Sequence, residues 1–315
     1  VRRHARWVLP LLVSGGLLGF LLVRFDVGRG LDQLTLRSAA LLGPVLIAQA
    51  LVSVWIEGLS LARLLPSGSQ LTAWRCARLK AATYPVALVH YALGGGALAI
   101  LLRRWAGGLG RAVGVVGLIS VMDLGLLMLL AACGAAWLAS AEPALRAGVL
   151  AGSLGLFVLG LLALRTPLHL GRLEKLRGAS LFRAARTTPS RDLAVLALLR
   201  LAFVNAFVAA VGAALAIFGV SPPLGDVVVG AVAVALVAAL PIAVAGLGTG
   251  QVAFVYVFRH WAEPSVLLAC SLALSAGFLL LRGLLGLACV RELTPESLGR
   301  APLGGEADDE PDLAR

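Results

Sequence analysis

The stretch Leu240–Phe258, LPIAVAGLGTGQVAFVYVF, is apolar enough to lie in a lipid bilayer, yet Pro241 and the glycines Gly246, Gly248 and Gly250 interrupt it. A plain membrane helix of about 20 residues would carry Leu or Ala at such positions. Broken backbone is tolerated at membrane depth only where it is buried in protein or lines a cavity. Whether this segment crosses the membrane is decided by the charges on the loops around it.

The 315 residues are 60% hydrophobic and 14% charged, and the mean hydropathy is +0.95. Soluble domains carry about 25% charged residues. The expected fold class is therefore an all-α integral membrane protein, with one transmembrane domain over 1–302 and a disordered acidic tail over 303–315. No stretch is long enough for a water-soluble catalytic domain, and neither an enzyme activity nor a cofactor is expected. The net charge of +11 fits basic cytoplasmic loops. Basic patches interleaved with aromatics are absent, so no nucleic-acid partner is expected. Cys76, Cys133, Cys270 and Cys289 are far apart and form no CxxC. They read as small buried hydrophobes rather than metal ligands or disulfides. Trp7–Val23 reads as an uncleaved first span, because no small-residue cleavage site follows it.

Full spans are predicted at about 7–23, 38–62, 112–139, 146–164, 193–219 and 265–290. The N-terminus and the loops 63–80 and 165–192 are basic, which places them and both termini in the cytoplasm. The loop 165–192 also has the composition to lie on anionic lipid. The segment 81–102, AATYPVALVHYALGGGALAILL, has basic residues on both sides. A crossing would put one basic side outside. A re-entrant hairpin keeps both inside, with Gly94, Gly95 and Gly96 as its apex. The same reasoning makes 227–258 a hairpin entering from outside.

These two segments align without gaps at an offset of 156 residues. PVALVHYALGGGALAILLRRW (Pro85–Trp105) lies over PIAVAGLGTGQVAFVYVFRHW (Pro241–Trp261), pairing Pro85 with Pro241, Gly94 with Gly250, Arg103 with Arg259 and Trp105 with Trp261. His90 falls opposite Gly246, and Gln49 opposite Asn205 in the preceding spans. The reading is two inverted repeats, 38–139 and 193–290. Two similarly kinked helices in an ordinary bundle are the alternative.

Leu240, Pro241, Gly246 and Gly248 resemble the C-terminal motif of the lysylphosphatidylglycerol synthase transmembrane-region family, also called flippase-like domain proteins. The segment LLLRGLLGL resembles that family's later helix, with Arg282 at its arginine position, and YPVALVHYALGGGALAILLRRW resembles its first hairpin. The resemblance covers about 38–290. One departure is Gln251, where the family commonly has Glu. The 315 residues include no soluble aminoacyl-transferase segment, so the resemblance implies lipid translocation rather than lysyl transfer. It also implies a bacterial inner membrane.

Ionisable residues inside spans are costly and default to function. Asp123, Arg200 and Arg282 are the candidates for a polar, anionic lipid head group, which guanidinium groups recognise bidentately. The hairpin residues Pro85, His90, Gly94, Gly95, Gly96, Pro241, Gly246, Gly248, Gly250 and Gln251 complete the candidate substrate-binding set, since helix ends at the breaks offer backbone donors. Structural pairing is the competing reading: Asp123 with Arg200 or Arg282, and Glu57 with Arg63 or Arg78. Gln49 and Asn205 read as hydrogen-bond donors between helices. The expected partners are membrane lipids, and a homo-oligomer is compatible with the chain. The leading function is a lipid translocase. A membrane-embedded transferase on lipid-linked substrates, a solute transporter and a non-transporting scaffold remain open.

Overall fold

The computed structural model describes residues 36–66, 71–89, 91–138, 186–239 and 248–293, with positions 151, 155 and 184 besides. The main helices are α1 (Leu36–Leu64), α2 (Ala73–Ala82), α3 (Tyr84–Val89), α4 (Tyr91–Ala106), α5 (Leu109–Leu138), α6 (Ser190–Ile217), α7 (Leu224–Ala239), α8 (Thr249–Phe258) and α9 (Pro264–Ala288). A short 3-10 turn, Val290–Leu293, follows α9. No strand occurs among the described residues.

Four helices, over Ser38–Leu64, Leu109–Gly134, Ser190–Ile217 and Pro264–Ala288, are long and apolar enough to cross a membrane. They match the predicted spans 38–62, 112–139, 193–219 and 265–290. The predicted span 7–23 and the acidic tail lie outside the described residues, as do the span 146–164 apart from positions 151 and 155 and most of the loop 165–192. Only 33–39% of the most apolar stretch of each long helix is buried within the protein. Leu41, Ile47, Leu51, Leu280 and Leu284 point outward. Helices that are apolar toward the interior and the exterior alike are solvated by lipid, not water. The chain is an all-α integral membrane protein.

Local chemistry sets the breaks. Thr72 caps α2 by accepting from the Arg75 backbone N–H at 3.3 Å. Pro85 lacks an N–H and cannot continue the α2 ladder, so α3 starts as a new helix at Tyr84. Between α4 and α5, Gly107 has φ +78°, and the Gly108 N–H returns to the Arg103 carbonyl at 2.8 Å. This is a Schellman-type stop that an L side chain would strain.

Helix α3 ends at Val89 and α4 begins at Tyr91. The predicted apex at Gly94–Gly96 is therefore corrected: the triplet is helical and lies inside α4. Its use is packing. A Cβ on Gly94 would strike Ala87 of α3, whereas Gly95 and Gly96 have room for a side chain. His90 lies outside the described residues.

Contacts fix the directions of the long helices. Arg63 near the end of α1 meets Asp192 near the start of α6 at 3.6 Å, and further along Glu57 meets Arg200 at 3.4 Å. Helices α1 and α6 are thus antiparallel. Leu64, Leu65 and Leu71 share one apolar cluster with Leu102, Ala106 and Ala112, so the chain from α2 to α4 begins and ends at the same end of the bundle. Phe218, Val220, Val227, Phe258 and Leu267 share a second cluster, so α7 and α8 begin and end at the other.

Helix starts recur at the offset of 156 residues. Shifting the starts of α1, α2, α4 and α5 gives 192, 229, 247 and 265, against 190, 224, 249 and 264 for α6–α9. Packing between the halves exchanges partners accordingly: α7 packs on α5, and α2 and α3 pack on α9. At the second of these contacts, Gly286 of α9 lies against the Pro85 ring and the Ala81 carbonyl.

Two substitutions in α9 should therefore act with opposite sign. Gly286→Val drives a side chain into the Pro85 ring and should cost about 1–3 kcal/mol. Gly283→Ala enters open space and should gain up to about 1 kcal/mol of helix propensity. Thermal unfolding of the purified protein in one detergent measures both.

Candidate functional site

Four charged residues from four helices meet inside the bundle. Glu57 lies on α1, Lys80 on α2, Asp123 on α5 and Arg200 on α6. Arg200 is fully buried, at 0% exposure. Its Nη1 lies 3.4 Å from Glu57 Oε1 and 3.6 Å from Asp123 Oδ2. Its Nη2 donates to Ser60 Oγ at 2.7 Å, and the Ser60 hydroxyl donates to the Ile56 carbonyl at 2.7 Å. The guanidinium carbon stands 5.0 Å from the Phe203 ring centroid. Lys80 Nζ reaches Glu57 Oε1 at 3.5 Å. Glu57 and Ser60 present one face of α1 because they are three residues apart.

The set is not fully satisfied. Among the described residues, Asp123 Oδ1, Arg200 Nε and Arg200 Nη1 are buried without a hydrogen-bond partner. Asp123 keeps 21% of its side chain exposed, so the cluster has an open edge. Tyr84 of α3 is close enough to feel the charges of Glu57, Lys80, Arg282 and Arg200. Arg282 of α9 stands over the Tyr84 ring with 5.9 Å to its centroid. Among the described residues no carboxylate lies within ion-pair distance of Arg282. Two acids against Lys80, Arg200 and Arg282 leave one surplus positive charge.

The charges of this cluster do not recur at the offset noted in the sequence. At the 156-residue offset, Glu57, Lys80 and Asp123 correspond to Ala213, Leu236 and Leu279, and Arg200 and Arg282 to Pro44 and Leu126. None of these counterparts is charged. The helices that carry them are joined by the apolar cluster of Leu42, Leu46, Val208, Val211, Ala214, Val234 and Leu274, against which Leu127 and Phe278 pack.

The structure brings Asp123 and Arg200 together and sets Arg282 at the rim beyond Tyr84. The predicted partners of Glu57 need correction. Arg63 binds Asp192 and Arg78 binds Glu292, while Glu57 takes Arg200 and Lys80. Among the described residues, neither Gln49 nor Asn205 bonds between helices. Gln49 donates to Ser53 Oγ at 2.9 Å and Asn205 to the Leu201 carbonyl at 3.0 Å, each within its own helix. Cys76 and Cys270 are buried as expected, whereas Cys133 is exposed on its helix.

Gln251 is buried in the second hairpin, at the third position of α8. Its Oε1 accepts from the Gly248 backbone N–H at 2.6 Å, and its Nε2 donates to Ser275 Oγ of α9 at 2.9 Å. It caps α8 and ties it to α9. Gly248 has φ +89° and ψ −60°, a conformation that favours glycine. Gly250 is helical and makes only ordinary contact with Ala238. Pro241 and Gly246 lie outside the described residues.

Lys80, Ser60 and Tyr84 are the members of the cluster that the sequence did not single out. Lys80 reads as a loop cation because a basic run precedes it. The available signal was its place three residues before TYPVAL, already on the apolar side of that run.

The sequence model of the family described as "Lysylphosphatidylglycerol synthase TM region" matches residues 7–286. No curated protein matches the chain.

Arg200→Met should remove the shared cation from two carboxylates and destabilise the protein by about 3–5 kcal/mol, with Asp123→Asn in the same chain recovering part of the loss. Thermal unfolding of the single and double variants measures the coupling. Gln251→Leu orphans the Gly248 N–H and should cost about 1–3 kcal/mol. Gln251→Glu keeps that acceptor and should cost less, because Ser275 can donate to the carboxylate.

Proposed function

The chain belongs to the lysylphosphatidylglycerol synthase transmembrane-region family, which ties it to membrane lipids, and from that premise we propose that it moves the polar head group of a lipid between leaflets. The substrate is an anionic lipid or a lipid-linked sugar whose acyl chains stay in the bilayer. The observation that carries this reading is the Glu57–Asp123–Arg200 cluster. Burying such groups in a membrane protein is expensive and marks a polar pathway. The partnerless Arg200 Nε and Asp123 Oδ1 offer a donor and an acceptor to a head group. The surplus positive charge, with Arg282 at the rim, favours an anion.

The architecture supports a transport cycle. Helices α4 and α8 have 16 and 10 residues, about 24 and 15 Å at 1.5 Å per residue. Both fall short of a hydrocarbon core of about 30 Å. Each hairpin begins and ends at one end of the bundle, and the two enter from opposite ends. They are re-entrant hairpins in inverted repeats, the arrangement in which binding groups sit between the halves and rocking of one half exposes them to each side.

Charge sets the orientation. Arg63, Arg75, Arg78, Arg103, Arg104, Arg111 and Arg191 fall at or near the element ends on one side, and Arg259 and His260 on the other with Asp226 and Glu263. The richly basic end faces the cytoplasm, in a bacterial inner membrane. Glu57 lies seven residues before the end of α1, about 10 Å along the helix, so the head group loads from the inner leaflet. The uncharged counterparts of the cluster form the opposing seal.

Proteoliposomes carrying a fluorescent anionic phospholipid test this reading. With wild-type protein, a membrane-impermeant reductant should bleach probe from both leaflets. Arg282→Ala and Asp123→Asn should slow bleaching of the inner pool by about tenfold. Wild-type rates in folded variants would exclude these residues from the pathway, and a covalently altered lipid would point to a transferase instead.

A further inference from the structure

A second cationic feature lies outside the bundle, at its basic end, and the buried cluster makes no use of it. Helix α2 carries three cations. Lys80 turns inward to Glu57 and Arg78 is neutralised by Glu292. Arg75 is exposed, and among the described residues no carboxylate lies within ion-pair distance of it. Instead its guanidinium carbon stands 5.5 Å from the centroid of the Trp105 ring, at the end of α4. Arg104 stacks on the same indole at 3.7 Å and feels the charges of both Arg75 and Glu292. Two like charges on one ring repel, and an anion between them would turn that repulsion into attraction.

The surroundings identify the anion. Trp74, 61% exposed, adjoins Arg75 and pairs with Trp55 at 6.4 Å between ring centroids. Exposed tryptophans beside cations at the end of a membrane bundle lie at head-group level. Lipid phosphates are the dense anions at that depth, and cations there bind them while apolar rings meet the upper acyl chain. We propose that Arg75, Arg104 and Trp105 form a surface site for the phosphate of an anionic phospholipid in the leaflet at the basic end. This site shares no residue with the buried cluster. It holds a boundary lipid that fixes the α2–α4 hairpin at the interface, and it stands or falls independently of the transport reading.

Quenching of Trp105 by brominated lipid tests the site in nanodiscs of matched acyl composition. The Trp105 signal is the difference between wild type and Trp105→Phe. It should be quenched more strongly by brominated phosphatidic acid than by brominated phosphatidylcholine at equal mole fraction, with a preference of about fivefold for each cation engaged. Arg75→Ala/Arg104→Ala alters two exposed side chains and should keep its helicity and melting temperature while losing the preference. Equal quenching by the two lipids would overturn the proposal, as would a preference that survives in the double variant. Loss of the preference on adding inorganic phosphate, but not chloride of equal ionic strength, would show a site for free anions and would also overturn it.

Discussion

A guanidinium with no exposed surface, set where α1 crosses α6, constrains everything around it. Removing Arg200 from water costs several kcal/mol. Three helices contribute to the compensation: Glu57 and Ser60 from α1, Asp123 from α5 and, through Glu57, Lys80 from α2. These contacts hold α1 and α6 antiparallel at a fixed register, and α2 follows because Lys80 must reach Glu57. Among the described residues the compensation is incomplete, since Arg200 Nε and Asp123 Oδ1 have no partner there. A cluster retained for stability alone would be better replaced by apolar packing. Its incompleteness at an open edge is the ground for the proposed head-group site.

Helix starts recur at the 156-residue offset, and the charges do not. Helix starts and packing partners recur across the two halves, with the hairpin of each half lying on the last long helix of the other. Yet the positions equivalent to Glu57, Lys80, Asp123, Arg200 and Arg282 are Ala, Leu, Leu, Pro and Leu. One end of the bundle is polar inside, while the corresponding region toward the other end is packed with Leu, Val and Ala.

Much of this was legible in the sequence. The apolar runs and their lengths predict the long helices within a few residues. The 156-residue offset read from the two broken segments recurs in the helix starts to within about five residues. The acids and arginines inside the spans are visible as anomalies, and Asp123 with Arg200 is one of the two expected pairs. What was not legible depends on rotation about helix axes and on tertiary contact. Glu57 lies closer in sequence to Arg63 than to Arg200, yet α1 turns Arg63 toward Asp192 and Glu57 inward. The Gly94–Gly96 triplet looks like an apex by composition, but it lies inside α4 and Gly94 serves the approach of Ala87. Gln251 differs from the expected acid, and only its contacts explain how an amide caps α8 and holds Ser275.

The central claim is that the charge cluster receives a head group from within the bilayer. A cryo-EM map of the protein in nanodiscs containing an anionic phospholipid addresses it directly. The account predicts head-group density among Asp123, Arg200 and Arg282, with acyl chains leading past Tyr84 into the membrane. A closed cluster with no density beside Arg200, and lipid confined to the outer surface of the bundle, would contradict it.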